Sequence, residues 1–186
     1  NAKDSDLTRY RRHDLGIVFQ FFNLLPAMTV AENVGLAQGF SRRGGLISWN
    51  QTEKRASEAL ARVGCDFDPT RRVQDLSRTE KSLVAIARAV AVAADVLVLD
   101  EPTASLPADE VERMFLVLRD LRAKGVGMIY VSHRLDEIFR IADRVAVLRD
   151  GQLVGAKAVK DTTPTELVNM IVGREVKDLY VRAKLN

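Results

Sequence analysis

Apolar and polar positions along the chain follow two recurring patterns. Short unbroken apolar runs occur at Leu15–Phe19, Val96–Leu99 and Val126–Val131. Runs of this length, bounded by turn residues, predict buried strands. Elsewhere apolar residues recur every three or four positions. Leu83, Ile86, Ala87 and Val90 fall on one helical face, as do Val111, Met114, Phe115, Leu118 and Leu121. Thr29 with Glu32, and Ser77 with Glu80, have capping-box spacing and predict helices over about 30–38 and from Ser77 to about Ala93. Trp49 to Val63 is helical by composition, and Gly64 and Gly125 supply stops. A short helix is expected over 134–142 and a last helical turn or two over 166–171. Arg144–Arg149 and Gln152–Ala156 surround Asp150-Gly151, a hairpin signal.

Strands that are apolar throughout and alternate with helices predict an α/β fold, a parallel sheet covered on both faces by helices. From about Met28 to Ala93 there are helix signals and no strand signal, and Gly39–Ser48 reads as an exposed loop. Residues 28–93 are therefore expected to form a helical subdomain on the sheet's edge. Residues 94–160 supply the core with its C-terminal β-hairpin. Residues 161–186 are the tail, and the charged stretch after Gly173 predicts fraying.

Composition narrows the class. Of 186 residues, 47% are hydrophobic and 28% charged, an ordinary globular balance. Twenty-eight Lys and Arg against 25 Asp and Glu leave a net charge of +3. The signs are interleaved, and Arg42, Arg43, Arg71 and Arg72 read as solvated loop charges, so no nucleic-acid partner is expected. The single cysteine, Cys65, excludes an internal disulfide framework and fits a reducing compartment. No apolar run approaches the ~20 residues of a membrane helix. The chain starts Asn1-Ala2 rather than with Met, which reads as a cloning remnant or a truncated start.

The chemistry gathers after the strands. Val96-Leu-Val-Leu runs into Asp100 and Glu101, and in a parallel sheet ligands sit beyond the strands' carboxyl ends. There, one carboxylate can hold Mg²⁺ through its water shell and the next can orient or deprotonate a water that attacks a phosphoryl group. Two acids after a strand are also what a polar turn looks like. His133 follows Val126–Val131, and Gln20 follows Leu15–Phe19. Each alone reads as a surface residue. Three polar positions after three strands form a constellation.

Together these segments resemble the ATPase subunit of ABC transporters. Leu97-Val-Leu-Asp-Glu-Pro-Thr103 is similar to the Walker B segment, with Asp100 implied as Mg²⁺ ligand and Glu101 as catalytic carboxylate. Val18-Phe-Gln20 resembles the Q-loop, which implies a role for Gln20 toward nucleotide and metal. Val131-Ser-His133 resembles the switch segment, with His133 implied as catalytic. Asp75 to Ala89 stands at the signature motif and its helix, which places Ser77, Arg78 and Thr79 at the nucleotide. Ala104-Ser105-Leu106-Pro107 stands at the D-loop and assigns Ser105 to nucleotide binding, with Pro107 where an acid is usual. The resemblance implies an incomplete P-loop NTPase-like core acting on ATP with Mg²⁺. It also implies transmembrane permease subunits and a second ATPase domain as partners, at the cytoplasmic face of the membrane.

Residues 31–88 are most similar to ribose- and xylose-type importers, whereas Tyr10–Pro26 is more similar to lipoprotein-release or macrolide-export ATPases. Phe21, Phe22, Leu24, Leu25 and Met28 are candidates either for the apolar patch that receives the permease or for the core. Two departures matter. The signature reads Leu76-Ser-Arg-Thr-Glu80 rather than Leu-Ser-Gly-Gly-Gln, so Thr79 is expected to obstruct a close phosphate approach, and Glu80 to add negative charge that Arg78 offsets. No Gly-x-x-x-x-Gly-Lys-Ser/Thr occurs, and only 19 residues precede Gln20. That run's backbone amides and lysine supply the phosphate cradle. The expectation is a chain that neither holds nor hydrolyses ATP by itself and that leaves an exposed apolar edge or face. The competing readings are a non-transport ABC ATPase and a docking or dimerisation fragment without catalysis.

Overall fold

The computed structural model describes residues 15–20, 22–92, 95–104 and 106–173. The expectations for Phe21, for Ser105 and for the tail after Gly173 lie outside them. The chain divides between Val131 and Ser132 into two compact units.

The first unit is organised by three parallel strands, β1 (Leu15–Val18), β4 (Val96–Asp100) and β5 (Gly127–Val131), in the order β1-β4-β5. Val18 stands opposite Leu99, and Leu99 opposite Tyr130. β4 and β5 are joined through α4 (Ala108–Ala123), whose Val111, Met114, Phe115, Leu118 and Leu121 are all buried, as their spacing predicts. Each such side chain contributes about 1.5–3 kcal/mol on burial.

Between β1 and β4 come α1 (Val30–Gln38), β2 (Arg42–Arg43), β3 (Leu46–Ile47), α2 (Trp49–Arg62) and α3 (Arg78–Ala91). The antiparallel β2–β3 ribbon corrects the expected loop and the expected absence of strands between Met28 and Ala93. Two residues per strand are too few to show any alternation. α1 starts at Thr29, whose side chain accepts from the Glu32 N–H while Glu32 accepts from the Thr29 N–H. α3 packs against α1, α2, β1 and α4. It therefore buries Val84, Ala85 and Ala89 as well as Ile86, Ala87 and Val90, a wider face than the one its sequence suggests, while Leu83 is only half-buried. Its closest approach to the sheet is at Gly16. A Cβ there would lie 2.6 Å from Leu97 Cδ2 and 2.9 Å from Ala89 Cβ. Only hydrogen fits between strand and helix.

Among the described residues the sheet is not covered on both faces. Gly16, Val18, Leu97 and Leu99 are buried, but Ile17, Phe19, Ile129 and Val131 on the opposite face are 38%, 44%, 54% and 46% exposed. The exposed apolar surface is thus a face. An unbroken apolar run says that a strand is apolar on both sides, not that both sides are covered.

The second unit contains α5 (Leu135–Ile141), the antiparallel pair β6 (Arg144–Arg149) and β7 (Gln152–Ala158), and α6 (Pro164–Val172). Asp150 (φ 52°) and Gly151 (φ 75°) form the left-handed two-residue turn that their types predict. α6 begins two residues before the expected turn, because Thr163 and Glu166 form a third capping box ahead of Pro164.

Candidate functional site

Two strand ends meet in the first unit. β4 runs on to Asp100, and the chain then leaves the sheet through Glu101, whose N–H donates to the Val131 carbonyl at 2.9 Å. Glu101 has φ 45°. A left-handed backbone costs a residue with a Cβ about 1–2 kcal/mol. Neighbouring bonds hold it: buried Thr103 places its hydroxyl 3.3 Å from the Tyr130 hydroxyl, and the Tyr130 ring meets Phe115 edge-on at 6.3 Å. Gln20, two residues beyond β1, donates from Nε2 to Glu101 Oε2 at 3.3 Å. Asp100 is half-buried, on the sheet face of Val96 and Val98. The structure thus brings Gln20, Asp100 and Glu101 to one sheet edge.

Among the described residues no cluster of three or more His, Cys, Asp or Glu forms a metal cage. Two carboxylates and an amide oxygen are nevertheless hard donors of the kind Mg²⁺ takes, its remaining positions being filled by water and substrate phosphates. The residues fit that ion.

The turn after Gln20 carries two more left-handed residues, Phe22 (φ 60°) and Asn23 (φ 52°). Both of their carbonyls accept from Arg88 of α3, Phe22 O from Nη2 at 2.9 Å and Asn23 O from Nη1 at 2.7 Å. Burial pushes the Arg88 guanidinium's pKa down. Buried Asn33 then ties Leu25, accepting from its N–H at 2.8 Å and donating to its carbonyl at 3.1 Å. Of the apolar candidates here, Phe22 belongs to the core, Leu24 and Met28 are half-buried and Leu25 is exposed.

At the start of α3 the capping groups satisfy one another. Ser77 Oγ accepts from the Glu80 N–H at 3.2 Å, and Glu80 Oε2 accepts from the Ser77 N–H at 2.7 Å. Glu80 Oε1 receives Arg71 at 2.8 Å. Burial alone would raise the Glu80 pKa, but the Ser77 N–H and the Arg71 guanidinium outweigh it and hold the carboxyl below its ordinary value. Arg71 therefore neutralises Glu80, and Arg71 is not merely solvated: its guanidinium also lies over the Phe67 ring at 5.8 Å. Thr79 is buried with its hydroxyl lacking a hydrogen-bond partner, so it turns into the core instead of obstructing the helix's front. Ser77 and Arg78 stay exposed. A groove of about 730 Å³ runs alongside, lined by Cys65, Phe67, Ser77, Leu83, Arg113 and Leu116 among others. Burial pushes the Cys65 thiol up to about 11, with Glu80 adding to the rise and Arg113 opposing it.

In the second unit His133 lies inside a tied turn. The Arg134 N–H donates to Ser132 Oγ at 3.0 Å, and Ser132 Oγ donates to Glu137 Oε2 at 3.3 Å. Glu137 is fully buried and its Oε1 is 3.1 Å from Arg134 Nε. Sequence reading did not single out Arg88, Asn33, Tyr130 or Glu137. Only the boundary between a strand and a following helix, at Ser132–Glu137, carried a local signal.

Comparison with known proteins places the sequence and the fold within one family. The chain is 45% identical over 170 residues to a ribose import ATP-binding protein of Rubrobacter xylanophilus, covering 91% of this chain and 34% of that protein. It is 39% identical over 175 residues to a ribose import ATP-binding protein of Geobacillus kaustophilus, covering 94% of this chain and 35% of that one. The chain thus spans about a third of the length of the curated relatives it matches. The ATP-binding cassette MJ0796, solved as a dimer in a post-hydrolysis state bound to ADP and Pi, superposes with a TM-score of 0.70. The two are 31% identical, over 87% of this chain and 70% of that one. At 24% identity, cbiO1 from Clostridium perfringens shares the fold, with a TM-score of 0.74 over 98% of this chain and 72% of its own. Residues 1–104 match the ABC transporter family, and the chain belongs to it.

Proposed function

We propose that this chain supplies the carboxylate side of an ATP-hydrolysing site in the energy-coupling subunit of an importer, with a sugar as cargo. The observation that carries this reading is the Gln20–Glu101 contact at the carboxyl ends of two adjacent parallel strands, with Asp100 one residue away. The identity to ribose import proteins supports the choice of sugar over the lipoprotein-release and macrolide-export alternative.

In this reading the Glu101 carboxylate orients the attacking water and accepts its proton, and the Gln20 amide fixes the direction of that carboxylate. Asp100 and Gln20 would hold Mg²⁺, which when bound neutralises phosphate charge. His133 contacts the γ-phosphate, its loop set by Ser132 and Glu137. Ser77, with Arg78 and Thr79 beside it and Ser105 from the D-loop position, serves nucleotide held by a second ATPase domain. Residues 28–93 form the helical subdomain, 94–160 the core and 161–186 the tail. Transmembrane permease subunits dock the chain to the cytoplasmic face of the membrane. Among the described residues no helix is long and apolar enough to cross a membrane.

The 186 residues contain no Gly-x-x-x-x-Gly-Lys-Ser/Thr run. We therefore expect calorimetry with Mg-ATP to detect no binding to this polypeptide, and to detect binding and turnover once a P-loop segment from a ribose importer is joined to it. Micromolar affinity of the polypeptide alone would move the phosphate site elsewhere. An absence of turnover in the joined protein would favour the docking-fragment reading.

A further inference from the structure

Arg88 is spent in an unusual way. A half-buried guanidinium ordinarily meets a carboxylate. This one places Nη1 and Nη2 on two successive carbonyls, those of Asn23 and Phe22, which lie 65 and 66 positions away in the chain. Both residues are left-handed, Phe22 at φ 60° and Asn23 at φ 52°. Asn takes that conformation at modest cost, but a bulky residue such as Phe22 takes it only when its surroundings impose it. Two charge-assisted bonds in a rigid fork impose it here.

The fork's base is also fixed. The next residue, Ala89, presses against β1 at Gly16, where no Cβ could be added without a 2.6 Å contact to Leu97. Arg88 is thus anchored to the strand that leads into Gln20 and bonded to the turn that leaves it. Farther on, Asn33 holds Leu25 by both its N–H and its carbonyl.

We infer that Arg88 is a positioning residue for Gln20: by clamping the left-handed Phe22–Asn23 turn onto α3 it sets where the Gln20 amide meets Glu101. The inference rests on reading Gln20 and Glu101 as site residues, but the clamp is measurable without nucleotide. Because α3 also carries Ser77 at its start, the clamp makes one helix answerable for both polar clusters of the first unit.

Nuclear magnetic resonance of the full chain tests this through the Phe22 and Asn23 amides and the Gln20 side-chain amide. Arg88→Lys keeps the charge and loses the fork. In that variant the two backbone order parameters should fall from about 0.85 to below about 0.6, and the Gln20 side-chain signal should move to where Glu101→Ala places it. Asn23→Gly makes the left-handed turn cheap. Added to Arg88→Lys it should recover much of the order, and it should restore folding if the single variant does not fold. Val84→Ala weakens α3 without touching the fork and should leave the Gln20 signal in place. Three results would each overturn the inference: a folded Arg88→Lys chain with an unchanged turn and Gln20 signal; a double variant no better than the single; or Val84→Ala displacing Gln20 as far as Arg88→Lys does. Intact clamp signals in a protein that never hydrolyses ATP would refute only the site reading.

Discussion

The sheet edge that carries Glu101 and the helix start that carries Ser77 are both assigned to the same chemistry, yet they are built on opposite terms. At the sheet edge three non-glycine residues, Phe22, Asn23 and Glu101, sit in left-handed backbone. The contact between the two candidate groups is long, 3.3 Å, and exposed. At the helix start nothing is strained. Ser77 and Glu80 satisfy each other's N–H groups, and Arg71 neutralises the carboxylate at 2.8 Å. One end stores strain and joins its candidate groups by a long, exposed contact, and the other closes its cap on itself. Strain held by surrounding structure is typical of groups positioned for chemistry, whereas a complete capping box is typical of a helix that must start at one residue.

The difference is most sharply tested by chemistry. In the protein joined to a P-loop segment, Glu101→Gln should keep ATP binding and lower turnover by roughly 10²–10⁴-fold, the usual worth of a positioned acid–base group. Phosphate release read beside a binding isotherm checks this, and unchanged turnover would remove Glu101 from its assigned role. Stability separates the two ends next. Ser77→Ala should cost about 1 kcal/mol in urea unfolding, because it breaks a working cap.

Glu101→Gly should act in the opposite direction, raising stability by about 0.5–1 kcal/mol. Relief of the left-handed backbone exceeds the added entropy of glycine. A chain destabilised by Glu101→Gly would mean that the turn is not strained.

The smallest effect is in pH. The Glu80 carboxyl is held below its ordinary value of 4.5, so its contribution is fully present above that value and is lost as pH falls through the lower, folded-state value. Glu80→Gln should flatten the acid limb of the stability profile below pH 4.5 by about 0.5 kcal/mol and leave pH 7 turnover of the joined protein unchanged if α3 needs only the cap's shape. An unaltered acid limb would show that the Arg71 pair adds nothing.

What the sequence disclosed follows from the range of each signal. α1 spans 30–38 as expected because Thr29, Glu32 and Gly39 all lie within one turn of its ends. The Asp150-Gly151 turn was legible for the same reason, since two adjacent residue types dictate its backbone. Gln20, Asp100 and Glu101 were legible as strand-end residues, and the parallel register then brought them together. Arg88 was not legible, because its partners are carbonyls, which every residue has. Nor was the inward turn of Thr79: position within a motif does not say which way a helix faces once three other helices and a strand surround it. The sheet's open face was hidden because Ile17 and Val18 are equally apolar, although one is exposed and the other buried.

Gly16 gives the first unit a lever. With no room for even a methyl group between β1 and α3, the contact with Ala89 is the fixed point of the helix against the sheet. Gln20 lies four residues from it along the chain, roughly 13 Å at strand rise. Ser77 lies twelve residues along the helix on the other side, roughly 18 Å at helical rise. A tilt of α3 about that contact would therefore displace Ser77 far more than Arg88, which lies one residue from it and keeps its hold on the turn after Gln20.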